Sequence, residues 1–295
     1  MQGKRAFIDR FNGSWMIITL LIILLLPLCI GLALYYKSIP ILADNSLMQL
    51  IIGTEWKPLS GKFGFLPFIL SSLYVTLLSF IFSAPVCLFA AIYLTQFASK
   101  RLINIMHPVI DILAGLPSVI YGVWGVLIIV PFIGKVLAPC FGISTTGYSI
   151  LAGGIVLAIM CIPYMLNMLI DIFGAVPCGL KEASLSLGAT LWESVKHVVI
   201  RSSIPGIVSS FGLGMAKAFG ETMAVLMVVG NVLKITSNPF DAGYPLPALI
   251  ANNYGEMLSI PMYDSALMFS ALLLLAIILI INLFFRFIIY KTQQV

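Results

Sequence analysis

Charge is scarce in this chain of 295 residues: Asp, Glu, Lys and Arg together make up 9%. Soluble domains carry roughly 25%, so this sequence cannot build an ordinary water-facing surface. Histidine occurs only at His107 and His197, far apart. That excludes the closely spaced ligands of a metal centre, and no Ser/His/Asp or Cys/His arrangement stands out, so an enzyme active site is not expected. The five cysteines, Cys29, Cys87, Cys140, Cys161 and Cys178, form no Cys-x-x-Cys pair and most lie in apolar runs. They read as small core residues. No Gly-x-x-x-x-Gly-Lys-Ser/Thr run occurs, so ATP has no P-loop here. Internal repeats, low-complexity tracts and a separate soluble domain are also missing. No metal, cofactor or nucleic acid is expected, and the net charge of +5 reads as basic loops at a membrane.

What is present is apolar. Hydrophobic residues make up 61% and the mean hydropathy is +1.10, which places the chain in a bilayer. A spanning helix needs about 20 apolar residues, and six runs qualify: 15–36, 66–95, 109–133, 149–173, 203–232 and 265–290. The first run is too long for a signal-peptide core and reads as an uncleaved helix. The expected architecture is an all-α, polytopic membrane protein of six transmembrane helices. Residues 1–65 hold a tail, the first helix and an outer loop; residues 66–295 form the main body.

Lys and Arg set the orientation. With the N-terminus inside, ten fall on the cytoplasmic side: Lys4, Arg5, Arg10, Lys100, Arg101, Lys181, Lys196, Arg201, Arg286 and Lys291. Five fall outside, at Lys37, Lys57, Lys62, Lys135 and Lys234, and Lys217 lies in a span. This bias predicts both termini in the cytoplasm. The outer loops 37–65 and 233–264 are long. The second carries turn chemistry at Asn238-Pro239 and Gly243-Tyr244-Pro245, with room for a short interfacial helix near 247–258.

Three segments carry chemistry. In the cytoplasmic loop 174–202, Leu180, Ala183 and Leu187 fall near one helical face. Gly188 permits a sharp turn into a second short helix beginning near Thr190. A bent helical pair with an apolar side fits a groove on another protein, or packs on its own bundle. In span three, Gly115 and Pro117 interrupt the helix, and Ser118 adds a hydroxyl donor. This is either a packing kink or part of a pathway. In span five, Lys217 and Glu221 are four residues apart and share a helix face. A charge at the bilayer midplane costs roughly 2.5–3.5 kcal/mol on insertion scales. The two residues form either a structural ion pair or a pathway pair in which Lys217 attracts an oxyanion.

These segments resemble a known family. Glu182-Ala183-Ser184 followed by Gly188 is similar to the EAA loop of ABC-importer permeases, with Arg201 standing where that family usually has Pro. Ala114-Gly115-Leu116-Pro117-Ser118 through Tyr121-Gly122 resembles a stretch of phosphate importer permeases. Gly220-Glu221-Thr222-Met223-Ala224-Val225, continuing to Gly230-Asn231, resembles the PstC-type subunit, as does the outer stretch Gly243-Tyr244 through Asn252. The family commonly has Arg at the position of Lys217.

The resemblance implies the ABC type I importer permease fold and a multi-pass protein of the bacterial inner membrane. It implies a sister PstA-like permease, an ATPase dimer on the cytoplasmic side and an external phosphate-binding protein. It assigns the substrate pathway to Ser118, Lys217, Glu221, Thr222 and Asn231, and coupling to the ATPase to Glu182, Ala183, Ser184 and Gly188. A permease for sulfate or molybdate, or a membrane scaffold or sensor without flux, are the competing functions.

Overall fold

The computed structural model describes residues 2–255 and 261–293. Helix α1 spans Gln2–Asp44, α2 Leu47–Ile52, and a two-stranded ribbon pairs β1 (Trp56–Lys57) with β2 (Lys62–Phe63). Then come α3 (Leu66–Phe97), α4 (Lys100–Gly115), α5 (Ser118–Cys140), α6 (Ile150–Gly174) and α7 (Cys178–Ser186). The chain ends with α8 (Leu191–Phe219), α9 (Met223–Val228), α10 (Leu246–Asn253) and α11 (Pro261–Gln293). Among the described residues six helices are long and apolar enough to cross a membrane: α1, α3, α5, α6, α8 and α11.

Small residues let the central helices approach closely, as is usual where no hydrophobic effect drives association in lipid. A Cβ at Gly154 would fall 2.9 Å from Leu78 Cβ on α3. At Gly214 it would fall 2.6 Å from Met165 on α6, and at Gly206 2.7 Å from Ile172. Around α6 these contacts create a core in which Val156, Leu157, Cys161 and Leu169 are fully buried. Cys87 and Cys161 sit inside it as packing residues. Helix α1 lies apart and leans on α11, with Lys37 Nζ 3.9 Å from Asp264 Oδ2.

A second core closes the end of the bundle that bears the ribbon. Phe65, Phe68, Leu246 and Phe269 are buried there. The Trp56 ring meets Phe63, Phe65, Phe68 and Tyr263 edge-on, with centroids 5.2 to 5.9 Å apart. Such contacts add to simple area burial. On the exposed ribbon a hydrogen bond from Lys62, and then the charge of Lys57, holds the Glu55 carboxyl below its usual range.

Four expectations change. Span one continues as helix through Asp44, well into the expected outer loop. The short helix expected near 247–258 forms as Leu246–Asn253, while 256–258 lie outside the described residues. It packs inward on the chain: Leu246, Pro247, Ala248 and Leu249 are buried, and its backbone is pinned by Ser72 Oγ accepting from Leu246 N at 2.8 Å. The helix beginning near Thr190 is not a short second element but the first turn of the span-five helix, which starts at Leu191. Finally, span five is not continuous to 232. It stops at Phe219, and a separate helix resumes at Met223.

Span three is likewise realised in two pieces, α4 and α5, with Leu116-Pro117 between them. The proline ring disfavours helical geometry at the residue before it, and Leu116 is accordingly extended. Within α5 the helix widens into π turns over Gly125–Ile129 and Ile133–Leu137. Each precedes a proline, Pro131 and Pro139, which cannot donate a backbone hydrogen bond.

Candidate functional site

The two helix breaks face the same part of the bundle. Asn167 Nδ2 donates to Asp111 Oδ1 at 3.0 Å, and a Cβ at Gly125 would touch Val156. The break at Leu116-Pro117 therefore falls opposite the middle of α6. On the other side, Lys217 Nζ lies 4.2 Å above the centroid of the Tyr164 ring, also near the middle of α6. Lys217 is in the last turn of α8, and the break at Gly220–Thr222 follows at once.

Beyond the breaks, α5 and α9 run side by side in the same direction. A Cβ at Gly122 would meet Met227 and Ala224, and one at Gly125 would meet Val228. The two helices thus begin next to each other at mid-depth, each with its positive dipole end at the break. Ser118 opens α5 and is half-buried. Tyr121, one turn on, bridges the break by donating to Leu113 O at 2.7 Å. Thr222 Oγ1 donates to Gly220 O at 3.4 Å inside the other break.

The structure separates the expected pair. Among the described residues the ion pairs are Lys37–Asp264, Lys57–Glu55, Lys62–Glu55 and Lys234–Asp241, so Lys217 and Glu221 are not within 4.0 Å. The shared-face argument fails because the helix ends between them. Glu221 instead lines a tight cleft with Ser72, Thr76, Phe219, Pro245 and Pro247. Each charge is stabilised another way. Lys217 stands at the negative end of α8 and over an aromatic face; Glu221 precedes the positive end of α9.

Asn231 is not brought to this place. It lies beyond α9, with φ +52°, and its amide donates to Leu226 O at 2.9 Å. Its carbonyl oxygen is buried without a partner, beside an open cavity of about 310 Å³ that Tyr148 also lines. Lys217, Gly220 and Pro117 are exposed on the surface of the chain, so both breaks open outward rather than into the core. Sequence reasoning missed Tyr164 and Tyr121. The signal available was a phenol in the middle of an otherwise apolar span.

The loop element sits at the far end of α6. Helix α7 contains Glu182, Ala183 and Ser184; the first two are exposed and Ser184 is half-buried. Leu180 and Leu187 present apolar surface, Leu187 being 89% exposed. The turn at Gly188 has φ +89°, a left-handed conformation that glycine adopts readily. Thr190 then caps α8: its hydroxyl accepts from Glu193 N at 3.3 Å while Glu193 Oε2 accepts from Thr190 N at 2.8 Å. Lys181 Nζ donates to Gln96 Oε1 at 3.0 Å, tying α7 to the end of α3. Arg201 and Pro205 lie within α8, which runs on through both after a π turn at Val195–Val199.

Known proteins give this arrangement a context. The family described as binding-protein-dependent transport system inner membrane component matches residues 85–293. The chain is 34% identical over 255 residues to the probable ABC transporter permease protein YqgH of Bacillus subtilis, covering 84% of this chain and 81% of that one. It is 31% identical to the phosphate transport system permease protein PstC of Haemophilus influenzae, covering 95% and 90%. It is also 31% identical to the probable PstC of Methanocaldococcus jannaschii, covering 94% and 91%. Among solved structures, an inward-facing MetNI methionine ABC transporter chain superposes with a TM-score of 0.58 at 20% identity, over 75% of this chain and 93% of that one.

Proposed function

The chain belongs to the binding-protein-dependent transport system inner membrane components, and from that premise we propose that it is the PstC-like permease subunit of an ATP-driven phosphate importer. The observation that carries the substrate is that two neighbouring helix N-termini and Lys217 all lie level with the middle of α6. In transporters, broken helices aim their positive ends at anionic substrate groups. Lys217 adds a full charge at the same depth, held by Tyr164, and Ser118 and Thr222 add hydroxyls at the two breaks. The resemblance to PstC proteins over nine-tenths of their length supports the same reading.

Function here is translocation, not catalysis: ATP hydrolysis belongs to a partner ATPase dimer. Helix α7, with Glu182, Ala183, Ser184 and Gly188, is the element that docks to it. The exposed side of the two breaks takes a PstA-like sister permease as its opposite wall, and a phosphate-binding protein delivers substrate from outside. The test is reconstitution of the four-component complex in liposomes with labelled phosphate, sulfate and molybdate. ATP-dependent phosphate uptake is the expected result. Uptake of sulfate or molybdate without phosphate would replace the substrate, and no flux of any anion would favour a scaffold.

The same reading fixes orientation, with both termini and α7 in the cytoplasm. Ser60, Ser186 and Ser237 are all exposed, so accessibility does not bias the assay. Single cysteines at these positions, in a chain lacking its native five, are treated with an impermeant maleimide on cells with a permeabilised outer envelope. Positions 60 and 237 are expected to label and position 186 to stay silent until the inner membrane is opened. Labelling at 186 in sealed cells rejects the orientation.

A further inference from the structure

Three polar side chains converge on one groove at an exposed side of the bundle. Asn282 and Arg286 lie one turn apart on α11, Ser209 projects from α8, and all three line a groove of about 200 Å³. The helices close where Gly212 meets Phe285: a Cβ there would fall 2.7 Å from the ring. Around the groove α11 is apolar and exposed, with Leu279, Leu283 and Phe287 all at least half-exposed. A polar trio in such a surface requires partners, because hydrocarbon satisfies no donor.

The protein does not supply them among the described residues. Neighbouring hydroxyls are satisfied: Ser202 donates to Val199 O, Ser210 to Met165 O and Thr292 to Ile288 O. Ser209, Asn282 and Arg286 have no comparable side-chain bond, and no described carboxylate lies within 4.0 Å of Arg286.

Depth identifies what can reach them. Gly206 on α8 abuts Ile172, two residues from the end of α6 at Gly174, and Ser209 is one turn deeper. Arg286 is seven residues from Gln293 at the end of α11, about 10 Å along the axis. The groove therefore opens just inside the boundary of the bilayer, on the side that carries α7. From there a long Arg stem reaches the headgroup layer.

We infer that this groove binds the phosphate group of an anionic phospholipid. The guanidinium fork takes two phosphate oxygens at once. The Asn282 amide and the Ser209 hydroxyl donate to a remaining phosphate oxygen or to the glycerol esters. Leu213, Phe285 and Ile289 form an apolar wall for the first part of an acyl chain. The cationic head favours a lipid of net negative charge over a zwitterionic one.

The experiment uses the assembled complex in phosphatidylcholine nanodiscs doped with photoactivatable phosphatidylglycerol, with labelled peptides mapped by mass spectrometry. Labelling is expected in the segment that contains Asn282 to Ile289. Arg286→Gln is expected to lower it about tenfold, the scale of one lost charge-assisted hydrogen bond. Lys291→Gln, on the same helix but outside the groove, should leave labelling unchanged. Asn282→Leu, which removes a polar group from a membrane helix without threatening insertion, should lower labelling in the same direction.

Equal labelling by a photoactivatable phosphatidylcholine, or no response to Arg286→Gln and Asn282→Leu, overturns the proposal. Displacement by millimolar inorganic phosphate assigns the site to a soluble anion instead. Capture of the sister subunit by a photoreactive residue at Ile289 shows that protein covers the groove, and likewise overturns it.

Discussion

A Gly188→Val chain is expected to insert and assemble normally yet leave ATP hydrolysis uncoupled from transport. Gly188 has φ +89°, and nothing lies within 4 Å of the position its Cβ would take. The damage therefore comes from backbone conformation and not from a clash. A left-handed backbone costs an L-residue roughly 1–2 kcal/mol, and a β-branched side chain tolerates it least. Valine pulls the turn toward ordinary φ and rotates α7 away from the capped start of α8. The tie between Lys181 and Gln96 holds only one side of α7 and cannot restore that angle.

Asparagine visits the left-handed region more readily than other non-glycine residues, so Gly188→Asn should retain the most coupling, Gly188→Ala less and Gly188→Val least. Co-purification of the ATPase, phosphate-stimulated hydrolysis and uptake per ATP check the ranking. Normal coupling in the Val variant would remove the turn from the mechanism, and Asn no better than Val would remove the conformational argument.

The turn at Gly188 was legible because its cause is local. Glycine, a capping Thr190 and Glu193 three residues on are a helix boundary written in six residues. The six spans were legible for a similar reason, since a bilayer demands about twenty apolar residues from each. The break in span five was not. Met223–Val229 is as apolar as the helix before it, and four-residue spacing of Lys217 and Glu221 looks like one face of one helix. What holds the piece beyond the break is remote. Val228 O accepts from Ser149 N at 3.2 Å, Gly243 N donates to Val229 O at 3.2 Å, and Gly122 and Gly125 receive α9 against α5. Ser71 and Ser72 pin residues more than 170 positions away, a pairing no window of sequence contains. Asn231 follows the same motif as Glu221 and Thr222, but α9 and a left-handed turn carry it away from the break.

Separating Lys217 from Glu221 changes what their replacement should do. For a structural pair, removing both charges is tolerated better than removing either, because each single change strands its partner. Here Lys217 rests on Tyr164 and Glu221 in the Ser72–Thr76 cleft, so neither depends on the other. Lys217→Met should lower phosphate uptake at least about tenfold, the scale of a lost charge-assisted hydrogen bond to the anion, at normal membrane levels. Lys217→Met/Glu221→Met should be no better. Lys217→Arg should transport, since the guanidinium keeps the charge and stacks on an aromatic face as well as an ammonium does. Tyr164→Leu should give a loss of a few-fold, in line with a cation–π contact of roughly 0.5–2 kcal/mol, and should have little further effect once Lys217 is Met. That non-additivity locates the function of Tyr164 in holding the cation. Recovery of uptake in the double charge mutant would mean that the two residues meet in the working transporter, and that Lys217 serves the bundle and not the anion.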